Sequence, residues 1–428
     1  MVALMSWLDF DEREQELSNE ILREFARPQT LDDLGFGQIR DAISNRLFPT
    51  TSSAHTRAKY FFLVPWVYQY MSTRRYEPAV VQRRADEWER HQIKRLIEGS
   101  GADLEGIMGR SNPTTLKTLP SRAYWNTLRL LGIFQHPTLS RTEYLRVASS
   151  HKRSEVDGDA ADHPSWWDLG FPTCPDEIAI QTRTPISIQL TFDEATWFAE
   201  RITRLELTRS TVYGRFVAAL LRGDDVDLEW QPIWEANLPD DVSESDRSLI
   251  WHAERFSQLM FTVNSLYAAM LGVRRDARRA TGPDADAPEA VTGEFYRERL
   301  ASTAQPSVDA LDFAEWAGRL DEFWTLLDFD IAPRTREFTE FMVKAIATSA
   351  SLLHLVDDPE VSDRIIDRER TVKGPALARF ANTTRLDEWT GDAAAAPTWF
   401  RWPSCHRLLR DIEQGLNAAS EGDLDADA

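Results

Sequence analysis

The sequence predicts a mainly α-helical protein of several domains. Apolar residues recur at helical spacing in many long segments, the longest of which runs from Leu249 to Leu271 after a capping Ser243. Alternation of apolar and polar residues is rare and is clearest in residues 184–191, so only a few short strands are expected. The chain has 428 residues, which is enough for two or three domains.

The predicted domain boundaries follow changes in composition. Basic helical segments come first, an acidic stretch rich in Pro and Gly interrupts them, and acidic helical segments follow. We expect an amphipathic helix over residues 11–25 and predict these units: a basic N-terminal domain (1–153), an acidic linker (154–183), an acidic helical domain (184–417) with a loop insert (280–293), and a disordered acidic tail (418–428).

Charge is distributed unevenly along the chain. The formal net charge is −20, yet residues 38–154 contain 19 Lys and Arg against 9 Asp and Glu, which leaves −30 for the rest. A basic segment inside an acidic protein indicates a surface that faces nucleic acid. It is equally typical of two parts that attract each other or a neighbouring subunit, and both interpretations stay open.

Several classes of activity lack their motifs. The two cysteines, Cys174 and Cys405, cannot form a disulfide framework or a zinc site by themselves. No phosphate-binding loop with its lysine, nucleophile elbow or paired-histidine metal motif occurs, so neither a cofactor nor a catalytic residue is predicted. With no signal peptide and no apolar segment of membrane-spanning length found, a cytoplasmic protein is expected. The 15 Trp are interpreted as core anchors rather than a stacking surface.

Residues 31–71 contain the densest mixture of polar and apolar side chains. A Gly35-x-Gly37 turn precedes a helix, and residues 50–59 then carry hydroxyls, an imidazole and two cations. We expect Ser52 or Ser53 to cap a buried helix that runs to about residue 72 and is kinked or broken at Pro65. A helix N-terminus of this composition favours anions, which gives the candidate residues Arg40, Thr51, Ser52, Thr56, Arg57 and Lys59. The alternative is a structural corner fixed by caps and by an Arg40–Asp41 ion pair.

Residues 78–150 resemble a winged-helix module in their pattern. A basic helix over 78–99 is followed by a second helix that closes with Leu-Leu-Gly-Ile-Phe134, as a recognition helix does before a wing. Ser140 and Glu143 form a capping-box pattern, which instead favours another helix and an ordinary helical hairpin. The basic residues of this region are further candidates for nucleic-acid contact: Arg83, Arg84, Lys94, Arg122 and Arg129.

The segment from Leu34 to Trp66 resembles an uncharacterised bacterial domain-of-unknown-function family. The shared pattern is Leu-Gly-x-Gly-x-Ile-Arg-Asp-Ala, then Phe-Pro-x-Thr-Ser, then Thr-Arg-x-x-Tyr-Phe-x-x-x-Pro-Trp. The later matches are Tyr124, Trp125, Gly132, Ile133, Leu190, Thr191, Glu194, Ala195, Arg401, Trp402, Asp411 and Ile412. The resemblance implies a bacterial, cytoplasmic, mostly helical protein whose gene lies near helicase and phospholipase-D-like genes in antiviral islands. It brings no catalytic residues with it.

Three functions are compatible with these observations. The leading hypothesis is a non-catalytic accessory subunit that binds DNA or RNA through its basic N-terminal region. Its acidic helical part would dock another protein, such as a helicase or nuclease, and no membrane is involved. The first alternative is a pure scaffold or adaptor whose basic region meets an acidic protein. The second alternative is an enzyme that acts on a phosphate-containing substrate at residues 40–59.

Overall fold

A computed structural model describes residues 32–74, 76–136, 138–154, 166–280, 293–389 and 397–424. Over these ranges the chain is mostly helical and contains no β-sheet, which confirms the main fold-class prediction. The expected short strands are absent from them, and Phe134 meets Trp167 only in an isolated antiparallel bridge. Residues 184–191 are extended but bond to the end of a helix, because Ile186 N–H donates to Arg95 O and Ile188 N–H to Ser100 Oγ.

The described helices fall into three runs along the chain. The first contains α1 (Gly37–Leu47), α2 (Tyr60–Ser72), α3 (Pro78–Gly99), α4 (Pro120–Leu130) and α5 (Arg141–Ser154). The second contains α6 (Phe192–Arg204), α7 (Val212–Arg222) and α8 (Glu244–Ala280). The third contains α9 (Gly293–Arg299), α10 (Gln305–Asp309), α11 (Phe313–Gly318), α12 (Leu320–Leu327), α13 (Pro333–Thr348), α14 (Leu352–Asp357), α15 (Pro359–Lys373), α16 (Thr383–Asp387) and α17 (Trp402–Leu424).

Helix boundaries follow local capping chemistry. The predicted capping box at Ser140 is formed, and Thr191 begins α6 with another: each hydroxyl accepts an N–H, while Glu143 or Glu194 accepts the N–H of the capping residue. Asp32 performs the same task for α1, since its carboxylate accepts the N–H groups of Phe36 and Gly37.

The turn before α1 requires glycine for steric reasons. Gly35 has φ +71°, and a Cβ there would lie 2.6 Å from Arg368 Nη2. Gly35, the first glycine of the Gly-x-Gly motif, therefore lets the Arg368 side chain of α15 pack against the backbone. This packing, rather than phosphate binding, accounts for the glycine.

Helix α2 is apolar on every face, and every residue from Tyr60 to Tyr68 is buried. It packs against α3, α4 and α5 and continues through Pro65 without ending there. It begins at Tyr60 with Lys59 as its N-cap residue, so the predicted cap at Ser52 or Ser53 is wrong, and only the last residues of the 50–59 run adjoin the helix N-terminus.

Helix α8 is the core helix of the C-terminal part. It extends beyond Gly272, where the apolar pattern predicted its end, to Ala280. By length and composition α8 could cross a membrane, whereas no apolar segment of that length was expected from the sequence. Of its most apolar stretch, however, 89% is buried inside the protein. Such burial is typical of the core helix of a soluble protein.

The winged-helix prediction is not confirmed. Residues 100–119 separate α3 from α4, whereas a helix-turn-helix joins its helices by a short turn. Gly132, at φ +66°, turns the chain after α4, but the isolated bridge at Phe134 is not a wing. The pattern at residues 128–134 therefore indicates only that α4 ends in a glycine of left-handed conformation, and many helices end in this way.

The division into separate domains is also not confirmed. Helix α1 packs on α8 and α12, α17 packs on α6 and α7, and one apolar core runs from Leu34 to Ile412. The described part of the predicted linker belongs to this core, since Trp167 and Phe171 are buried in it. Helix α17 includes residues 418–424 of the tail that was expected to be disordered. The predicted helix at 11–25, residues 155–165 and most of the loop insert lie outside the described residues.

Gly272 should be intolerant of a side chain. A Cβ there would lie 2.7 Å from Gly293 Cα, where α9 crosses α8 in backbone contact. Overpacking by Gly272→Ala is expected to lower the free energy of unfolding by about 1–3 kcal/mol. The greater helix propensity of alanine, about 1 kcal/mol, acts in the opposite direction and offsets part of this loss. Denaturant titration measures the change. The control is Gly318→Ala in α11, where a Cβ meets nothing within 4 Å and no loss is expected. Equal losses in both variants would contradict the contact.

Candidate functional site

Residues 50–59 form an irregular corner between α1 and α2. Thr50 adopts a left-handed conformation at φ +60°, which is uncommon for a β-branched residue. Thr51 Oγ1 donates to Phe48 O at 2.6 Å, and Arg401 Nη1 donates to Thr51 O at 3.1 Å. The corner is therefore fixed by its own hydroxyl and by a side chain next to the last helix.

His55 is buried inside the corner and is uncharged. Its Nδ1 accepts the N–H of Ser52 at 3.2 Å, so Nε2 carries the hydrogen and lies 3.3 Å from Ala123 O. The ring stacks on Tyr124 with 4.5 Å between centroids. Burial lowers the pKa of His55 to about 3, because an imidazolium in this site would be poorly solvated.

Tyr124 on α4 connects the corner to the N-terminal helices. Its hydroxyl accepts the N–H groups of Thr56 and Arg57 and donates to Arg57 O. Burial raises the pKa of Tyr124 to about 12, so the hydroxyl keeps the proton that it donates. The hydroxyl of Tyr124 thus forms hydrogen bonds with three backbone groups of the corner that have no partner within a helix.

Arg57 lies at the centre of an ion-pair cluster. It is 3% exposed, and its Nε donates to Asp411 Oδ1 at 2.9 Å. Nη1 and Nη2 reach both carboxylate oxygens of Asp103 at 2.8 Å, and Nη1 also donates to Glu105 O. Burial raises the pKa of Asp411 to about 6, while Arg57 and the N–H of Ala58 act in the opposite direction. We name Arg57, Asp103 and Asp411 the Arg57 cluster.

Lys59 forms a second buried pair two residues later. Its Nζ lies 2.6 and 2.7 Å from the two carboxylate oxygens of Glu194, the capping-box residue of α6. Both side chains are almost wholly inaccessible. The ammonium group is therefore neutralised inside the protein.

The other predicted site residues lie on separate elements. Arg40 pairs with Asp41 on α1, Arg122 is half-buried near Arg141, and Arg129 donates to Asn126 on α4. The exposed basic residues Arg83, Arg84 and Lys94 share α3. Thr51, Ser52, Thr56, Arg57 and Lys59 come together at the corner, as their spacing implies.

The corner is thus an internally neutralised junction. Arg57 and Lys59 each face protein carboxylates, so an incoming phosphate would have to compete with bonds already made. Among the described residues no group of three or more His, Cys, Asp or Glu side chains could hold a metal ion. The geometry therefore favours the alternative of a structural corner over that of an anion-binding site.

A cleft beside the Arg57 cluster was missed from the sequence. It has a volume of about 550 Å³ and lies between the loop after α3 and one face of α17. Arg407, Arg410 and Gln414 line it from α17, and Trp230 lines it from the segment between α7 and α8. The one sequence signal was the spacing of Arg407, Arg410 and Gln414 at i, i+3 and i+7, which places three polar residues on one face of α17.

Comparison with protein families identifies a full-length relationship. Residues 2–415 match the model of a family of unknown function, DUF6361. The chain belongs to the DUF6361 family. No curated protein and no solved structure matches it. For this DUF6361 chain the resemblance to a domain-of-unknown-function family is therefore confirmed, whereas its bacterial origin and antiviral association stay predictions.

The residues that carry the resemblance meet in space. Arg57 pairs with Asp411, Lys59 pairs with Glu194, and Tyr124 bonds to Thr56. These positions come from four separate sequence blocks. In this DUF6361 protein, the residues quoted for the resemblance therefore coincide with the corner and its two buried ion pairs.

His55 should make stability depend on pH. Its folded pKa of about 3 lies below the unfolded value, so its contribution is complete above about pH 6.5 and is lost as pH falls. Between pH 6.5 and 5 one bound proton corresponds to about 2 kcal/mol. We expect His55→Asn, compared with the parent by denaturant titration at both pH values, to lose about that much of the pH dependence. An unchanged pH dependence would show that His55 titrates normally.

Lys59→Met should strongly destabilise the fold. It leaves the buried carboxylate of Glu194 without a counter-charge, and a loss of about 3–5 kcal/mol in the free energy of unfolding is expected. The double variant Lys59→Met/Glu194→Gln should recover part of it. Arg84→Met, in an exposed pair with Glu87, is the control and should change stability by less than about 1 kcal/mol. Similar losses for both single variants would argue against a buried pair.

Proposed function

We propose that the protein is a non-catalytic accessory subunit that binds nucleic acid and docks a partner protein. The observation that supports it is the exposed basic face of α3, where Arg83, Arg84 and Lys94 point to solvent. Arg83 is 68% exposed in its side chain, and Glu87 pairs with both arginines. We name Arg83, Arg84 and Lys94 the α3 basic face.

Phosphate binding fits this face better than the corner. Exposed lysines and arginines can exchange weak surface ion pairs for phosphate at little cost, whereas Arg57 and Lys59 would have to break buried pairs. Arg110 and Lys117, in the loop after α3, are also exposed. Such contacts are insensitive to sequence and weaken with salt, because they act through counterion release.

The partner would meet the acidic part of the chain. Exposed carboxylates gather between α7 and α8 at Asp224, Asp225, Asp227 and Glu229. This charge favours a basic protein surface, so the partner would meet a face other than the α3 basic face. We propose a bacterial, cytoplasmic protein whose partner is a helicase or nuclease of an antiviral assembly.

A pure adaptor is the second candidate, and a specific observation favours it. Basic residues before residue 60 pair with acidic residues of the later chain: Arg46 with Asp246, Arg57 with Asp411 and Lys59 with Glu194. Part of the charge asymmetry is thereby neutralised within the protein. In that case the remaining positive charge would meet an acidic protein rather than nucleic acid.

The α3 basic face should control binding to nucleic acid. We expect the parent protein to bind DNA or RNA oligonucleotides with an affinity that falls with salt. Arg83→Ala/Arg84→Ala/Lys94→Ala should reduce the slope of log affinity against log salt by about 2–3 for duplex DNA, since three phosphate contacts are lost. Fluorescence anisotropy at several salt concentrations measures this slope for duplex, single-stranded DNA and RNA probes.

The control variant changes charge equally elsewhere. Arg204→Ala/Arg209→Ala/Arg336→Ala removes three exposed arginines, each paired with a nearby glutamate as on α3, and should leave the slope unchanged. If the parent binds none of the probes at low ionic strength, the nucleic-acid role fails and the adaptor is favoured. Equal effects of both triple variants would mean that total charge, and not this face, governs binding.

A further inference from the structure

The cleft beside the Arg57 cluster has the dimensions and lining of a small-molecule site. Its volume of about 550 Å³ falls within the range of about 300–1,000 Å³ that is usual for ligand pockets. The loop that carries Asp103 and Glu105 forms one side, and α17 forms the other. These elements are held together by the Arg57 cluster, so the cleft is preformed in the fold.

The floor of the cleft is charged, buried and rigid. The hydrogen bonds of Arg57 within the described protein occupy Nε, both hydrogens of Nη1 and one of Nη2, which leaves one of its five N–H groups. Its side chain is almost wholly buried and lines the cleft. The floor is therefore fixed by bonds already made, and the cations that can meet a ligand are those of the wall.

Two further cations stand on α17 at the wall of the cleft. Arg407 Nη2 contacts Glu105 Oε1 at 2.6 Å, in a pair that is largely exposed on the glutamate side. Arg410 is exposed and forms no ion pair within 4 Å among the described residues, while Glu105 and Glu413 lie near enough to interact with it electrostatically. Spaced by three residues, both guanidinium groups lie on one helix face and suit the oxygens of a single phosphate.

An aromatic ring completes the cleft. Trp230 is 54% exposed, whereas every other tryptophan in the described ranges is buried or half-buried. Its indole meets His406 edge-on, at 5.3 Å between centroids and 87° between planes. His406 Nε2 is 3.0 Å from Leu228 O, and burial lowers the pKa of this imidazole. A neutral ring thus supports Trp230, and an indole face is left for a ligand.

We infer that this cleft binds a nucleoside monophosphate group, with the base stacked on Trp230 and the phosphate held by Arg407 and Arg410. Bases stack on tryptophan with little preference among them, and guanidinium groups recognise phosphate with two donors. The group has two sources: a free nucleotide, or the phosphorylated end of a nucleic-acid strand. The inference involves none of the α3 basic face and does not depend on the proposed function.

Calorimetric titration with adenosine monophosphate tests the site. The parent should bind it, adenosine and inorganic phosphate alone should bind at least about tenfold more weakly, and Trp230→Ala and Arg410→Ala should each weaken binding about tenfold or more. Matched controls outside the cleft are Phe329→Ala, another exposed aromatic residue, and Arg204→Ala, another exposed arginine, which should bind as the parent does. Circular dichroism of each variant establishes that it is folded.

The same titration distinguishes the two sources. A short single strand with a 5′-phosphate that binds as tightly as the mononucleotide, while its unphosphorylated form does not, assigns the site to strand ends. Binding of the mononucleotide alone assigns it to a free nucleotide. Absence of binding by the parent at millimolar ligand, or equal binding by the parent and both cleft variants, overturns the inference. The α3 triple variant should retain mononucleotide binding, so failure of the proposed function and failure of this site are separable.

Discussion

The guanidinium of Arg57 connects three parts of the chain that are far apart in sequence. It bonds to the loop after α3 through Asp103 and Glu105, and to α17 through Asp411, which lies 354 residues away. The second oxygen of Asp411 accepts the N–H of Ala58, so one carboxylate satisfies both a charge and a backbone group. Because a buried charge without its partner is costly, these segments can reach low free energy only together.

This constraint explains why the corner is so polar beside so apolar a helix. Helix α2 is buried on all sides, so the residues that lead into it must also enter the interior. Their backbone groups and charges then need internal partners, which Tyr124, Asp411 and Glu194 provide. The two cations of residues 50–59 are thus accounted for by the junction between helices.

Local features could be predicted from the sequence, and long-range ones could not. The capping boxes at Ser140 and Thr191 were predictable because their donors and acceptors lie within three residues. The partner of Lys59 was not, since Glu194 is 135 residues away and nothing in the spacing indicates it. The predictions of a strand and of a wing went unconfirmed for the same reason. The alternation at residues 184–191 places Ile186 and Ile188 against α3 rather than in a sheet, and the helix end at Gly132 is common to winged and unwinged folds. The cleft was missed because its walls come from three distant segments.

The position of Asp411 near the end of the described chain also bears on the order in which the protein can fold during synthesis. Arg57 and Ala58 emerge from the ribosome early, but their acceptor emerges only after some 350 more residues have been added. Until then, the buried charge of Arg57 and the N–H of Ala58 lack this partner. Contacts of such sequence separation are slow to close. The corner is therefore completed by a contact that closes late, unlike one in a chain built from successive independent domains, each of which can fold as it emerges.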